Sequence, residues 1–299
     1  MLVIIILVAL FERGLDSGIA AQHLLGKLRS AETAISWRQA PALFLLGIGA
    51  GLFGGMLGLG GGVLKVAGML LLFNLDIFFA RAVSLTTMFI TTASAAWPYA
   101  KRGFPIRQII RPMLPPALVG VVGGLLLGNQ LRGATLTHLF GFFVLFLGLY
   151  TLAMVFDDPK EHVLRRNFSN GRLHKYHGRL SGSIGALHGF ICGLLGISGG
   201  VISVPMQQLL LNTPVRHAIA NTLVVSAVCS GLGSITVIAI GTGRGVFSLE
   251  HILFAVMAIG GGAVLGAQIG VHMGLKSDTG VLRFLFVVIS FGAGLSLLL

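Results

Sequence analysis

Residues 51–87 read GLFGGMLGLGGGVLKVAGMLLLFNLDIFFARAVSLTT, and residues 189–225 repeat the pattern as GFICGLLGISGGVISVPMQQLLLNTPVRHAIANTLVV. The two stretches align without a gap at a displacement of 138 residues, and 14 of 37 positions are identical. The same displacement places the glycine pair 123–124 on the pair 261–262, so we expect it to hold beyond the first motif. Duplicated apolar halves, each interrupted by glycines, are typical of transporters whose site lies between the repeats.

Composition identifies the chain as an integral membrane protein. Hydrophobic residues make up 55% of the 299, charged residues 10%, and the mean hydropathy is +0.93. We predict an all-α polytopic membrane protein with about eight transmembrane helices in two homologous four-helix halves. The apolar spans lie near 41–73, 79–100, 106–128, 134–156, 182–212, 217–241, 248–274 and 281–299.

The net charge of +12 indicates membrane topology and not a nucleic-acid partner. If every span crosses, most Lys and Arg gather in the N-terminal region and in the loops near 101–111, 157–181 and 241–250. The positive-inside rule then puts both termini and the 157–181 loop in the cytoplasm, in a multi-pass protein of the cytoplasmic (inner) membrane. The basic loops are also expected to contact membrane lipid. The other side carries only Arg81, Arg132, Arg216, Lys276 and Arg283.

The chain divides into four predicted segments. Residues 1–40 form an N-terminal interfacial or cytoplasmic segment, and residues 41–156 form the first transmembrane repeat. Residues 157–181 form a basic cytoplasmic linker, and residues 182–299 form the second repeat. The apolar run 1–11 is too short to span, so it is either an interfacial anchor or part of an extra helix. The two repeats are parallel if all segments span, whereas re-entrant first segments would change that relation.

The first span of each half, 41–73 or 182–212, is too long for one crossing and has its glycine cluster in the middle. Glycine costs about 1 kcal/mol relative to alanine inside a helix, so breaks are expected at 58–62 and at 196–200, where Pro205 follows. Both segments are therefore predicted to be discontinuous helices or re-entrant hairpins. Non-helical backbone at membrane depth is tolerated only where it is buried or lines a wet cavity, so these breaks are the predicted substrate site.

Anion binding is the chemistry that such breaks favour. Glycines let backbone N–H groups converge, and a half-helix that starts after the break directs the positive end of its dipole at the site. Lys65 follows the first cluster; an intramembrane lysine is a functional-site hypothesis by default, the alternative being that it snorkels to an interface. Its repeat counterpart is a serine. The residues predicted here to bind substrate are Gly58, Gly60, Gly61, Gly62, Lys65, Gly196, Ser198, Gly199, Gly200 and Ser203.

Neutral donors complete the predicted substrate site. Hydroxyl and amide groups suit an oxyanion without adding buried charge, although a hydroxyl can equally bond a carbonyl of its own helix. Of two neighbouring glutamines, Gln207 is favoured over Gln208 to face the pathway. The neutral residues added to the site are Ser84, Thr86, Gln207, Asn221 and Thr222.

Cofactor, metal and enzymatic chemistry are not expected. Cys192 and Cys229 lack metal-ligand spacing, and the sequence has no HExxH motif and no paired intramembrane carboxylates. His188 and His217 are either proton carriers or structural residues. Small-residue faces serve internal packing and dimerisation alike, so a homodimer stays open.

At its glycine clusters the chain resembles the TauE/SafE sulfite exporter family of membrane transporters. The resemblance is carried by GLFGGMLGLGGGVLKV at 51–66, GLLGISGGVISVP at 193–205 and an AxAxxL pattern at 80–85 and 218–223. It covers about residues 41–299 and implies export of a small anion, most simply sulfite or an organosulfonate. An anion channel on the same scaffold and a carboxylate transporter are the alternatives.

Two departures from the family pattern distinguish the halves. Ala67 stands where the first copy would have the proline of the Val-Pro pair, and Ser198 replaces a glycine in the second copy. The two breaks are therefore expected to differ in shape.

Overall fold

The computed structural model describes residues 37–156, 178–243, 249–276 and 280–299. Most of the N-terminal segment 1–40, including its apolar run, and most of the linker 157–181 lie outside the described residues. A 3₁₀ turn, Trp37–Gln39, precedes the first helix. The α-helices are α1 Ala40–Leu57, α2 Gly62–Phe73, α3 Ile77–Lys101, α4 Arg107–Gln130, α5 Gly133–Phe156, α6 Gly178–Leu195, α7 Gly200–Leu211, α8 Val215–Gly243, α9 Leu249–Lys276 and α10 Gly280–Leu298.

The prediction of an all-α polytopic membrane protein is confirmed. The described residues contain no strand, and six of the helices are long and apolar enough to cross a bilayer. The eight predicted spans correspond to the eight long helices, while α2 and α7 are short arms of 12 residues, about 18 Å each.

The long first span of each half is a re-entrant hairpin. After the first break α2 returns along α1, so that a Cβ added at Gly61 would overlap the carbonyl oxygen of Ala50. After the second break α7 returns along α6, and a Cβ at Gly199 would overlap the carbonyl oxygen of His188. These two contacts are related by the 138-residue displacement. Of the two alternatives left open by the sequence, the structure therefore has hairpins.

The two halves are inverted relative to each other. In the equivalent helices α5 and α10, Gly141 lies beside Leu297 while Gly148 lies beside Phe291, so these helices run antiparallel. The equivalent helices α3 and α8 are antiparallel as well. The return arm explains the inversion, because a half of five segments ends on the opposite side of the membrane from where it began.

Two closely packed helix pairs join the halves, α1 with α9 and α4 with α6. Each pair takes one helix from each half, and its helices run parallel. Small residues allow this approach, since a side chain would separate the two backbones. The glycines at which a Cβ would collide with the facing backbone are Gly47, Gly51, Gly55, Gly262, Gly266 and Gly270 in the first pair, and Gly120, Gly124, Gly185, Gly189 and Gly193 in the second.

The expectation that the 138-residue displacement holds beyond the first motif is wrong. Gly120 of α4 packs on the carbonyl of Ala186, and Gly266 of α9 packs on the carbonyl of Ile48. Ala186 and Ile48 are equivalent at 138 residues, so Gly120 and Gly266 are equivalent too, and α4 and α9 are related by 146 residues. The added eight residues arise at the junction of α8 and α9. Each of these helices is four residues longer than its counterpart, 29 against 25 and 28 against 24.

The two faces of the helix bundle follow from these directions. On the linker face, α5 ends at Phe156 and α6 begins at Gly178; on the terminal face, α1 begins at Ala40 and α10 ends at Leu298. The prediction that both termini share a side with the 157–181 loop is therefore wrong for the C-terminus. It assumed that each long first span crosses the membrane once, whereas each enters the membrane and returns to the face from which it came.

Chemical labelling tests this arrangement. With Cys192 and Cys229 replaced by alanine, Arg179→Cys and Leu299→Cys are expected to react with a membrane-impermeant maleimide from opposite sides of sealed vesicles. Both positions are exposed, so access depends on the side of the membrane and not on burial. Labelling of both cysteines from the same side would contradict inverted halves.

Candidate functional site

The tips of the two hairpins touch each other at the interface between the halves. A Cβ at Gly62 would lie 2.9 Å from the Cα of Ile197, and a Cβ at Gly200 would overlap the carbonyl oxygen of Gly58. Ser84 of α3 donates a hydrogen bond of 2.7 Å to the carbonyl oxygen of Gly196, which ties the second tip to the first half. The predicted glycines of both breaks are thereby brought together.

The two breaks differ in shape, as the departures from the family pattern predicted. Gly58, Gly60 and Gly61 all have left-handed backbone, with φ of 73°, 60° and 70°, whereas only Gly196, at 70°, does so in the second break. Gly199 there has φ of −63°. Ser198 replaces the extra glycine, and its Oγ accepts a hydrogen bond of 3.1 Å from the amide of Gly200 at the start of α7.

Lys65 forms a cluster with two threonines of α3, which we call the lysine cluster. Its Nζ is fully buried and donates to Thr87 Oγ1 and Thr91 Oγ1, each at 3.2 Å. Each threonine hydroxyl donates its own proton to a carbonyl of α3, so its oxygen is free to accept from the ammonium. Lys65 therefore does not snorkel to an interface. Among the described residues its hydrogen-bond partners are neutral.

In the second half, a chain of hydrogen bonds surrounds His188 next to Ser203, the repeat counterpart of Lys65, and we call it the histidine chain. The imidazole is fully buried, with Nδ1 3.0 Å from Ser203 Oγ and Nε2 3.1 Å from Ser226 Oγ. Ser226 Oγ lies 2.7 Å from Ser198 Oγ, so the chain reaches the second tip. Because each neighbour is a hydroxyl, the imidazole can be a donor or an acceptor at either nitrogen.

The histidine chain continues through amide side chains towards the linker face. Thr222 Oγ1 lies 3.0 Å from Ser203 Oγ and accepts from Gln207 Nε2 at 3.0 Å. Asn221 Nδ2 donates to Gln207 Oε1 at 2.9 Å, and Asn221 Oδ1 accepts from the Ile106 amide at 2.7 Å. The histidine chain thus joins five of the predicted site residues, Ser198, Ser203, Gln207, Asn221 and Thr222. Gln207, rather than its neighbour Gln208, belongs to the chain.

The family of the chain can now be stated. A family model described as the sulfite exporter TauE/SafE matches residues 43–297. The chain belongs to the TauE/SafE family. The resemblance carried by the glycine clusters is thereby confirmed. No solved structure matches the chain.

The relatives of this TauE/SafE protein carry the names of transporters. The probable membrane transporter protein MamO of Paramagnetospirillum magneticum is 28% identical over 255 residues, which cover 77% of this chain and 40% of MamO. The chain thus spans less than half of that relative. The probable membrane transporter protein YunE of Bacillus subtilis is 25% identical over 83% of this chain and 94% of YunE. MJ0441 of Methanocaldococcus jannaschii, named in the same way, is 24% identical over 87% and 95%.

Two predicted or candidate residues lie away from both clusters. Thr86 accepts a hydrogen bond of 3.0 Å from Ser234 Oγ where α3 crosses α8, and donates to the carbonyl of Ala82. His217 Nδ1 lies 2.7 Å from the carbonyl oxygen of Phe104, in the connection after α3. The structure therefore does not bring Thr86 together with Lys65, and His217 joins a loop to α8.

Sequence reasoning missed several buried polar residues of this TauE/SafE protein. Thr91 lies one helical turn after Thr87 and could have been found by that spacing. His188 was only a proton-carrier alternative, although its repeat counterpart is the apolar Ala50. Ser226 carries no signal beyond being a small polar residue in an apolar span.

Arg81 was assigned to a loop side of the membrane, and this is wrong. Its side chain is 1% exposed and packs against the second hairpin tip, where a Cβ at Gly196 would overlap its Cγ. Its Nη2 donates to Asn129 Oδ1 at 2.9 Å and to the Leu125 carbonyl oxygen at 3.4 Å. The error arose because Arg81 lies only five residues after the chain reverses at Asp76, where α2 and α3 are joined by a short connection.

The left-handed glycines of the first tip can be tested against a matched position. Gly61 and Gly103 have nearly the same φ, 70° and 72°, but a Cβ would overlap the Ala50 carbonyl at Gly61 and meet nothing within 4 Å at Gly103. Gly103→Ala is expected to cost about 1–2 kcal/mol from backbone strain alone. Gly61→Ala is expected to cost about 1–3 kcal/mol more, because the hairpin must open. Unfolding of the purified protein in detergent measures both, and equal costs would contradict tight packing at the tip.

Proposed function

We propose that this protein is a membrane transporter that exports a small oxyanion, sulfite or an organosulfonate, through a site at the two hairpin tips. The observation that carries the proposal is the buried ammonium of Lys65, whose hydrogen-bond partners among the described residues are two hydroxyls. A buried charge without a counter-charge is costly, so an anion that enters and leaves is the fitting partner. Membership of the TauE/SafE family supports both the transporter class and sulfite.

Neutral donors around the tips would hold the oxygens of the anion. A sulfite or sulfonate group presents three acceptor oxygens, and an ammonium with hydroxyl and amide donors can bond several of them at once. Such groups lie in the second half, around Ser203, the repeat counterpart of Lys65. They belong to Ser203, Gln207, Asn221 and Thr222. The glycines of the tips would let the anion approach backbone N–H groups.

We place the linker face on the cytoplasmic side of the inner membrane. The basic residues at the described helix ends favour this orientation under the positive-inside rule. Export then runs from the linker face to the terminal face. The basic residues of the described helices and connections at the linker face are Lys101, Arg102, Arg107, Arg111, Arg179, Arg216, Lys276 and Arg283, against Arg38 and Arg132 at the terminal face.

Inverted repeats supply a route for alternating access. The hairpin of the first half points to the linker face and that of the second half to the terminal face, so the tips overlap between them. If the two halves exchange conformations, the site opens first to one face and then to the other, as in other transporters with inverted repeats.

Removal of the lysine charge tests the proposed site. In proteoliposomes, Lys65→Gln is expected to lower saturable flux of labelled sulfite about 10–150-fold, the range of one hydrogen bond to a charged group. Lys101→Gln is the matched control, because Lys101 is exposed at the end of α3. Full flux in Lys65→Gln would move the site to the histidine chain, and absence of sulfite flux in the wild type would reject sulfite as the substrate.

The membrane potential is expected to drive the export of a monoanion. A monoanion leaving a negative interior gains about 2.3 kcal/mol per 100 mV, so a potential of that size would sustain a gradient of about 50-fold without a coupling ion. A labelled sulfonate is the suitable probe, because it stays a monoanion around neutral pH. Its steady-state gradient is measured with and without a potassium diffusion potential. A gradient that ignores the potential would contradict uncoupled export.

A further inference from the structure

Arg81 holds a second buried positive charge that the proposed site does not use. Two of its three side-chain nitrogens, Nε and Nη1, are buried and have no hydrogen-bond partner in the part of the chain that the structure describes. The third, Nη2, bonds only the amide oxygen of Asn129 and the carbonyl oxygen of Leu125. The guanidinium is therefore neither neutralised nor fully hydrogen-bonded by these neighbours.

Arg81 lies at the second hairpin tip and apart from the lysine cluster. A Cβ at Gly128 would lie 2.5 Å from its Nη1, and Gly196 packs on its Cγ, so the guanidinium is held between α4 and the tip. On α3, Arg81 precedes Thr87 by six residues, which is about 9 Å along the helix axis. The two cations are therefore separate, and Arg81 is the nearer to the terminal face.

Structural roles account for only part of an arginine at this position: its guanidinium lies over the Phe78 ring, 6.0 Å from the centroid, at the outer limit of a cation–π contact. A cation near the start of α3 gains no stabilisation from the helix dipole, whose positive end lies at this terminus. Snorkelling brings a charge to water, whereas this one is 1% exposed. In the other half the equivalent residue is Ile219, which packs in the same way on Gly58. The fold thus needs side-chain volume at this position and not a charge.

We propose that Arg81 is a second anion-binding station, which takes the oxyanion through Nε and Nη1 while Asn129 positions the guanidinium. A planar guanidinium suits oxyanions because its N–H donors match their oxygens in direction and spacing. The inference rests on the proposed anion export and extends it. With the linker face in the cytoplasm, the anion passes from the lysine cluster to Arg81 and leaves at the terminal face.

Anion-dependent stability of the purified full chain tests this station without requiring transport. All variants carry Lys65→Gln, so that the remaining rise of the unfolding temperature with methanesulfonate or sulfite reports on Arg81. Chloride at equal ionic strength is the salt control. Addition of Arg81→Met is expected to abolish the rise, and Arg81→Lys is expected to weaken the apparent affinity about tenfold or more. Arg132→Gln, an exposed arginine near the same face, is expected to leave the rise unchanged.

The outcomes distinguish a failure of the anion-binding station at Arg81 from a failure of sulfite as the transported anion. No anion-dependent rise in the Lys65→Gln parent, an unchanged rise with Arg81→Met, or an unchanged affinity with Arg81→Lys would each overturn the station at Arg81. Arg81→Lys decides the question if Arg81→Met does not fold. Wild-type vesicles without sulfite flux, together with an Arg81-dependent rise in methanesulfonate, would reject sulfite as cargo and support the station.

Discussion

The contact between the two hairpin tips is the constraint on which the rest of this structure depends. A chain that breaks its helix inside a membrane must bury the freed backbone groups against protein, because hydrocarbon cannot bond them. Here each tip is buried by the other, with Gly62 against Ile197 and Gly200 against Gly58. The approach is close enough that only glycine fits. The return arms α2 and α7 then carry Lys65 and Ser203 into the interior, and they invert the second half relative to the first.

The scaffold is symmetric, but its chemistry is not. Both cations come from the first half, Lys65 on its return arm and Arg81 on α3, where the second half has Ser203 and Ile219. The second half has instead a buried imidazole at His188, linked to hydroxyls and amides. The duplication allows the polar side chains of the two halves to differ, because the second half can keep the backbone contacts of the fold while the first half carries the buried positive charges.

Much of the fold and part of the site could be predicted from the sequence. The glycine clusters, the duplication and the buried Lys65 are local features, and they predicted both breaks and one cation. The direction of the chain after each break could not be predicted, because a continuous broken helix and a hairpin use the same residues. Adjacent positions show a second limit. Thr86 and Thr87 are turned by about 100° on α3, so Thr86 faces α8 and Thr87 faces Lys65. No periodic signal in the sequence of α3 distinguishes these two sides.

The pairing of α1 with α9 has a consequence for how the protein is made. The packing glycines of α1, Gly47, Gly51 and Gly55, contact a helix that begins only at Leu249, far along the chain from α1. At a synthesis rate of about 5–20 residues per second, α1 is in the membrane for about 10–40 s before α9 is complete. During that time its close-packing face meets lipid or a temporary neighbour. The first half therefore cannot finish its own packing until α9 of the second half has been made.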